Sequence, residues 1–222
     1  MTLTFARDGA ELHTDAIDAI TLDHLGGCLA HLPTDKPGIR LHGLDGLPRL
    51  LAPTGPVGKI ARTVLGADHR PVRALLFDKS PATNWALCWH QDRTIAVAER
   101  IEVHGFRNWN VKAQMIHVEP PWSVLERMVT LRVHLDAVPA NNAPLLIAPG
   151  SHRLGPIPER HIASVVGKLG TAACLAEAGD VWVYATPVLH ASERATSGGR
   201  RRVLQVDFAV EDLSGGLRWL GV

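Results

Sequence analysis

The stretch Thr130-Leu-Arg-Val-His-Leu-Asp136 alternates apolar and polar residues without a break. Side chains of a strand leave opposite faces in turn, so Leu131, Val133 and Leu135 form one apolar face and Arg132, His134 and Asp136 the other. The polar face either meets solvent, as one side of an antiparallel sheet commonly does, or lines a polar cavity in which Arg132 assists in holding an anion. Lys112 and Gln114 pose the same choice within residues 110–118, and Lys79 poses it just after residues 72–78.

Working outward, the whole region from Pro71 has this texture of short apolar stretches broken by turn residues. Strands are expected at 72–78, 85–90, 95–97, 110–118, 129–136, 144–148, 171–177, 181–185 and 201–210. That number of short strands predicts a double-layered jelly roll. Before it, residues 1–13 read as a strand entry. Thr14-Asp15 can cap a helix running to about Leu32, and a second helix is expected at 57–65, stopping at Gly66. Residues 33–53, punctuated by prolines and glycines, read as a surface connection. Pro120-Pro121 opens a short helix at 122–127. The expectation is one domain over 1–222, mainly β with flanking helices: helical support at 1–70 and a jelly-roll core at 71–210.

Within that core, Trp85-Ala-Leu-Cys-Trp-His-Gln-Asp92 closes an apolar run with His90 and Asp92 two residues apart. On a strand both leave the same face. They supply two of the three ligands of a 2-His-1-carboxylate triad, which holds Fe(II) and leaves positions open. The missing histidine is expected at the end of another strand. His190 closes Val181-Trp-Val-Tyr-Ala-Thr-Pro-Val-Leu-His190, after the turn at Gly179-Asp180. Eleven residues on, past Ser197-Gly198-Gly199, Arg201 opens the last strand. Its guanidinium can grip a carboxylate with two bonds, which a lysine cannot reproduce.

Composition narrows the partners. The chain has 222 residues, 46% apolar, with 23 basic against 22 acidic side chains. This balance gives no electrostatic reason to invoke nucleic acid or an anionic membrane. Cys28, Cys88 and Cys174 are odd in number and lack C-x-x-C spacing, so neither a disulfide framework nor a thiolate zinc site is indicated. With Arg7, Asp8 and Glu11 near the start, and no apolar run long enough to cross a bilayer, a soluble cytoplasmic protein is expected.

These residues together resemble the phytanoyl-CoA dioxygenase family of Fe(II)- and 2-oxoglutarate-dependent oxygenases. Trp89-His-Gln-Asp92 is similar to its metal-binding segment, and Asn141-Asn-Ala-Pro-Leu-Leu-Ile-Ala-Pro-Gly-Ser-His152 to its Pro-Gly-Ser-His stretch. Residues 179–201 resemble its closing segment. The resemblance implies a double-stranded β-helix, cupin-like, with His90, Asp92 and His190 on iron and Arg201 and Ser192 on the far carboxylate of 2-oxoglutarate. Arg132 and Lys79 are further candidates for that co-substrate. Ala143, where the family often has glycine, and Arg132, where some members carry an aromatic residue, depart from the pattern. His152 reads as structural. The implied reaction consumes 2-oxoglutarate and O2, yields succinate and CO2, and hydroxylates a C–H bond of a small molecule. The carboxylate of Asp92 favours hydroxylation over halogenation, since relatives with a small residue there gain a halide site.

Two other readings are an oxygen-independent cupin-like metalloenzyme, which would not need Arg201 as a clamp, and a non-catalytic jelly-roll binding module. Trp85, Trp89, Phe106, Trp109 and Trp122 either wall the substrate or pack the core. Residues 98–111 are expected to cover the site as a loop that orders on ligand binding.

Overall fold

A computed structural model describes residues 2–222. The chain starts with a short helix α1 (Phe5–Asp8) and strand β1 (Ala10–His13), then α2 (Ala19–Leu29). The cap of α2 is Asp18, whose carboxylate accepts the Thr21 N–H at 2.7 Å. Thr14-Asp15, the expected cap, stands four residues too early because Asp15 takes a left-handed backbone (φ 50°) that interrupts any helix there. The supposed surface connection at 33–53 holds an edge strand β2 (Gly38–Leu41) and a helix α3 (Leu47–Leu51). Pro48 sits in the first turn of α3, where its missing N–H costs nothing. Helix α4 (Pro56–Leu65) follows and stops at Gly66. Gly58 lets α4 close onto the end of α3, since a Cβ would strike the Ala52 carbonyl.

The following strands are β3 (Arg70–Lys79), β4 (Leu87–His90), β5 (Ile95–Val97), β6 (Arg107–Lys112) and β7 (Met115–Glu119). After helix α5 (Trp122–Leu125) come β8 (Val129–His134), β9 (Leu145–Ile147), helix α6 (Glu159–Leu169), β10 (Ala172–Cys174), β11 (Val181–Ala185), β12 (His190–Ser192) and β13 (Arg201–Ala209). The single strand expected at 110–118 is a hairpin. Ala113 and Gln114 both have positive φ, 49° and 63°, as a tight two-residue turn requires. No glycine or asparagine marks that turn. Helix α6 and the short strand β12 were not anticipated.

From β3 to β13 the chain passes back and forth between two antiparallel sheets. The larger has the order β1-β11-β8-β13-β3-β2, the smaller β10-β9-β12-β4. Strands β3, β8, β11 and β13 lie in the first and β4, β9, β10 and β12 in the second, which is the interleaving of a double-stranded β-helix. The third sheet, β5-β7-β6, stands beside them.

Alternation decides which face of the large sheet meets which neighbour. Ala74 and Leu76 of β3, Leu131 and Val133 of β8, and Leu204, Val206 and Phe208 of β13 turn outward. There they pack on Leu25 and Leu29 of α2, Leu47 and Leu51 of α3, and Val57, Ile60 and Ala61 of α4. Each fully buried Leu or Phe side chain contributes ~1.5–3 kcal/mol to that face. The inner face of the same strands carries Arg73, Thr130, Arg132, Arg201, Gln205 and Asp207, all buried or nearly so. One apolar face and one polar face per strand therefore build a polar chamber between the sheets, closed by Leu145, Ile147 and Tyr184 at one side. No helix among the described residues is long and apolar enough to cross a membrane.

Candidate active site

Strand β4 is an edge strand of the small sheet, and its last residue is His90. Gln91 turns the other way and is buried, its amide N–H groups donating to Gly155 O (3.1 Å) and Pro187 O (2.9 Å). Its carbonyl accepts the Ile157 N–H at 2.8 Å. This anchor leaves Asp92 on the same side as His90. Strand β12 pairs with β4 so that His190 stands directly opposite His90, with ring centroids 4.2 Å apart. The ligand atoms of His90, Asp92 and His190 all lie within 4.8 Å of one another.

Both histidines are pre-set for a metal. His90 Nδ1 donates to Cys88 O at 2.8 Å and His190 Nδ1 to Val188 O at 3.0 Å. A carbonyl only accepts, so each Nδ1 carries a proton, and in the neutral tautomer that this selects, Nε2 keeps the lone pair that a metal takes. Burial, reinforced by neighbouring His90, pulls His190 down to about 4, so its imidazole is neutral at pH 7. Burial pushes the Asp92 carboxyl up, but Arg73 and the two histidines outweigh it and hold it below its ordinary value. The donor set of two neutral imidazoles and one carboxylate suits Fe(II).

Arg73 was not singled out in the sequence, and it organises the floor of the site. Its Nη2 donates to Asp92 Oδ2 at 3.1 Å, its Nη1 to Thr94 O at 3.3 Å, and its Nε to Asp207 Oδ2. Asp207 Oδ1 accepts the Thr130 hydroxyl at 2.9 Å. Burial opposes the charge on Arg73, but Asp207 and Asp92 hold it firmly protonated. The one signal in sequence was an arginine inside an otherwise apolar strand.

At the far end of the chamber the charge is left open. Arg201, only 2% exposed, donates from Nη1 to Ala143 O, and its buried Nε has no partner. Arg132 donates to Gln205 Oε1 at 2.9 Å, leaving its own buried Nε unpartnered. Neither guanidinium has a carboxylate within 4.0 Å among the described residues. Burial and the neighbouring Arg132 pull Arg201 down to about 9. Two buried cations with unspent N–H groups and no counter-ion form a receptor for an anion.

The cavity joining these ends has a volume of about 220 Å³. His90, Asp92, His190, Ser192, Arg132 and Arg201 line it, as does Trp85. Lys79 does not stand on the wall. It lies opposite Arg201 across the β3–β13 ladder and is fully buried, with Nζ donating to Trp85 O and Glu193 O (both 2.8 Å) and to Ser192 Oγ (3.3 Å). Burial, reinforced by Arg201, Arg132 and Arg194, pulls it down to about 8. His134 is buried nearby with both ring nitrogens unpartnered, and burial with Arg132 and Arg201 keeps it neutral. Asp136 lies past the end of β8 and pairs with Arg202 at 2.8 Å, outside the chamber. His152 packs over Gly9, away from the triad.

One expectation fails here. No residue of 98–111 lines the cavity. Ile101, Val103, Phe106 and Trp109 pack instead with Ile95, Val118, Leu125 and Leu217 in an apolar cluster beside the third sheet. The five aromatic residues divide between the two readings: Trp85 lines the cavity and Trp89 borders the cleft over His90 and Asp92, packed against Ile162 and Leu189, while Phe106, Trp109 and Trp122 pack together in the core.

A family model described as "Phytanoyl-CoA dioxygenase (PhyH)" matches residues 56–203, two thirds of the chain. No curated protein sequence matches it. Among solved structures, the chain is similar to EctD from S. alaskensis in its apoform, at 21% identity and a TM-score of 0.69, covering 98% of this chain and 78% of that one. It is also similar to the non-heme alpha ketoglutarate dependent carbocyclase SnoK from nogalamycin biosynthesis (16%, TM-score 0.67, 98% and 85% covered). A third likeness is to HygX from Streptomyces hygroscopicus with nickel and 2-oxoglutarate bound (13%, TM-score 0.63, 92% and 84% covered). At these identities the likeness carries the fold.

Proposed function

The chain belongs to the phytanoyl-CoA dioxygenase family, and from that membership we propose that it is an Fe(II)- and 2-oxoglutarate-dependent oxygenase that hydroxylates a C–H bond of a small organic molecule. The observation that carries the reading is the pairing of two ends of one cavity. Two free imidazole Nε2 atoms and a carboxylate converge at one end, and a buried arginine without a counter-ion stands at the other.

In this reading His90, Asp92 and His190 hold the metal, and Arg201, with Ser192 and Arg132, holds the distal carboxylate of 2-oxoglutarate. Lys79 supports that end from behind, its charge adding to the field felt by the carboxylate while its hydrogen bonds fix Ser192. Bound there, iron and 2-oxoglutarate supply the oxidising chemistry: O2 and the keto acid give succinate and CO2, and the second oxygen atom goes to the substrate C–H bond. The chain's own part is orientation and exclusion of water. The Nδ1–H bonds to Cys88 and Val188 fix both imidazole planes, Arg73 fixes the carboxylate, and Trp85 with Leu145 shields the inner cavity.

The test is an anaerobic absorption titration of the metal-free protein with Fe(II) and then 2-oxoglutarate, with Arg201→Ala in parallel. The expected result is a visible charge-transfer band in the wild type that needs far more keto acid in the variant. Tight iron binding without a band would favour an oxygen-independent metalloenzyme, and no metal binding would leave a binding module.

A further inference from the structure

A second pair of cations without a counter-ion lines the same cavity, at the metal end. Arg40 comes from β2 and Lys112 from the end of β6, two different sheets. Among the described residues neither has a carboxylate within 4.0 Å. Among those residues the Arg40 side chain makes no hydrogen bond, and its Nε is buried without a partner. Lys112 donates to the Thr94 hydroxyl at 3.3 Å, its one partner among the described residues. Burial and the charge of Arg73 depress Arg40, and burial with the charges of Arg40 and Arg73 depresses Lys112, Asp92 opposing both shifts without cancelling them.

The acids nearby are already committed. Arg73 takes Asp207 and the outer oxygen of Asp92, while the inner oxygen of Asp92 faces the metal position, 3.9 Å from His90 Nε2. The two carboxylates of 2-oxoglutarate are committed too, one to the metal and one to the Arg201 end. An arginine fork and an ammonium facing one space match a further carboxylate or phosphate. Lys112 also borders an outer cleft of about 730 Å³ that opens over His90 and Asp92, walled by Leu87, Trp89 and Ile162. An acid group held at the junction would leave an attached apolar body lying across those side chains, beside the metal.

Resting on the oxygenase reading, we propose that the primary substrate is a small organic anion, a carboxylate or phosphate monoester with an apolar body, whose charged group is held by Arg40 and Lys112. The test uses the protein loaded with Ni(II), which takes the same ligands without turnover, and 2-oxoglutarate. Calorimetric titrations compare butanoate, hexanoate and octanoate with their amides, and hexyl phosphate with hexanol. The expected result is an anion bound at least about tenfold more tightly than its neutral counterpart. That preference disappears in Lys112→Met and in Arg40→Met, and is partly kept in Arg40→Lys, while the 2-oxoglutarate affinity of each variant stays within about twofold.

Equal binding of acids and neutral counterparts at every chain length overturns the proposal and leaves the oxygenase reading standing. Weakened 2-oxoglutarate in the Lys112 and Arg40 variants, with no loss of anion preference, also overturns it, since the two cations then serve the keto acid. No 2-oxoglutarate binding by the wild type overturns the oxygenase reading and this inference with it.

Discussion

Arg73 and Asp92 form an ion pair, Nη2 to Oδ2 at 3.1 Å, although Asp92 is the carboxylate of the candidate metal triad. The pair leaves one oxygen of Asp92 for a metal and removes the other, so Asp92 is held as a single-oxygen ligand before any metal arrives. Arg73 also neutralises Asp207, which is 1% exposed. Replacing it by methionine strands a buried carboxylate and frees Asp92 to rotate. The expected effects are a loss of ~3–5 kcal/mol of stability, by denaturant unfolding, and, at a temperature where the variant is still folded, ~10–100-fold weaker metal binding. Arg73→Lys keeps the charge but not the fork, so it should recover part of the stability and little of the metal affinity. Unchanged metal affinity in both variants would show that Asp92 needs no such support.

Arg201 sets stability against binding. A guanidinium that is 2% exposed and has no carboxylate partner costs folding free energy that only a bound anion returns. Arg201→Met keeps most of the volume and removes the charge. The ligand-free variant is expected to be more stable than the wild type by about 1 kcal/mol or more, seen as a melting temperature higher by ~2–4 °C per kcal/mol. With Ni(II) already bound to both proteins, adding 2-oxoglutarate should raise the melting temperature of the wild type further and move that of the variant much less. A ligand-free Arg201→Met protein that melts below the wild type would argue that the bond to Ala143 O outweighs the buried charge.

Lys79 gives the site a pH dependence whose sign follows from its depressed pKa. The unfolded chain takes up this proton near 10.5 and the folded chain only near 8. Stability contributed by the group is therefore present above pH 10.5, is lost as the pH falls towards 8, and is absent at neutral pH. An anion beside Arg201 reverses the balance by favouring the charged ammonium. Binding of 2-oxoglutarate should then take up a proton near pH 8, and its affinity should fall as the pH rises above that value. Calorimetry in buffers of different ionisation enthalpy measures the uptake. Lys79→Met should abolish it, and an affinity that is flat from pH 7 to 9.5 would remove Lys79 from the account.

What could be read beforehand was whatever chemistry sits at short range or repeats with period two. His90 and Asp92 share a face through an i, i+2 spacing, and Arg132 stands on the face opposite Leu131 and Val133, though only the packing of helices on those two residues turns it inward. Arg73 escaped because its meaning depends on Asp207, 134 residues away, with which it pairs only after β3 and β13 align. Arg40 escaped because the prolines and glycines around it concealed an edge strand that forms only against β3. The β6–β7 hairpin reads as one strand in the sequence because Ala113 and Gln114 adopt positive φ without the glycine or asparagine that usually announces it. In each case tertiary pairing overrode a local signal.

Residues 98–111 are anchored rather than free to close over the cavity. That segment looked like a lid because it is irregular and follows the His-x-Asp motif, yet Phe106 is 6% exposed and Ile101, Val103 and Trp109 pack around it. Its backbone is tied as well, Ala98 N–H donating to Arg218 O at 3.0 Å and Phe106 N–H to Val103 O at 3.1 Å. An apolar anchorage of that kind cannot swing over a cavity without exposing the cluster. Hydrogen exchange across 98–111 is therefore expected to be the same with and without Ni(II) and 2-oxoglutarate. Slowed exchange should appear instead in β4 and β12, which carry His90 and His190, and at the start of β13 around Arg201, where bound groups bridge the two sheets. Protection gained across 98–111 and absent from those strands would restore the lid and place the mobile element beside the third sheet.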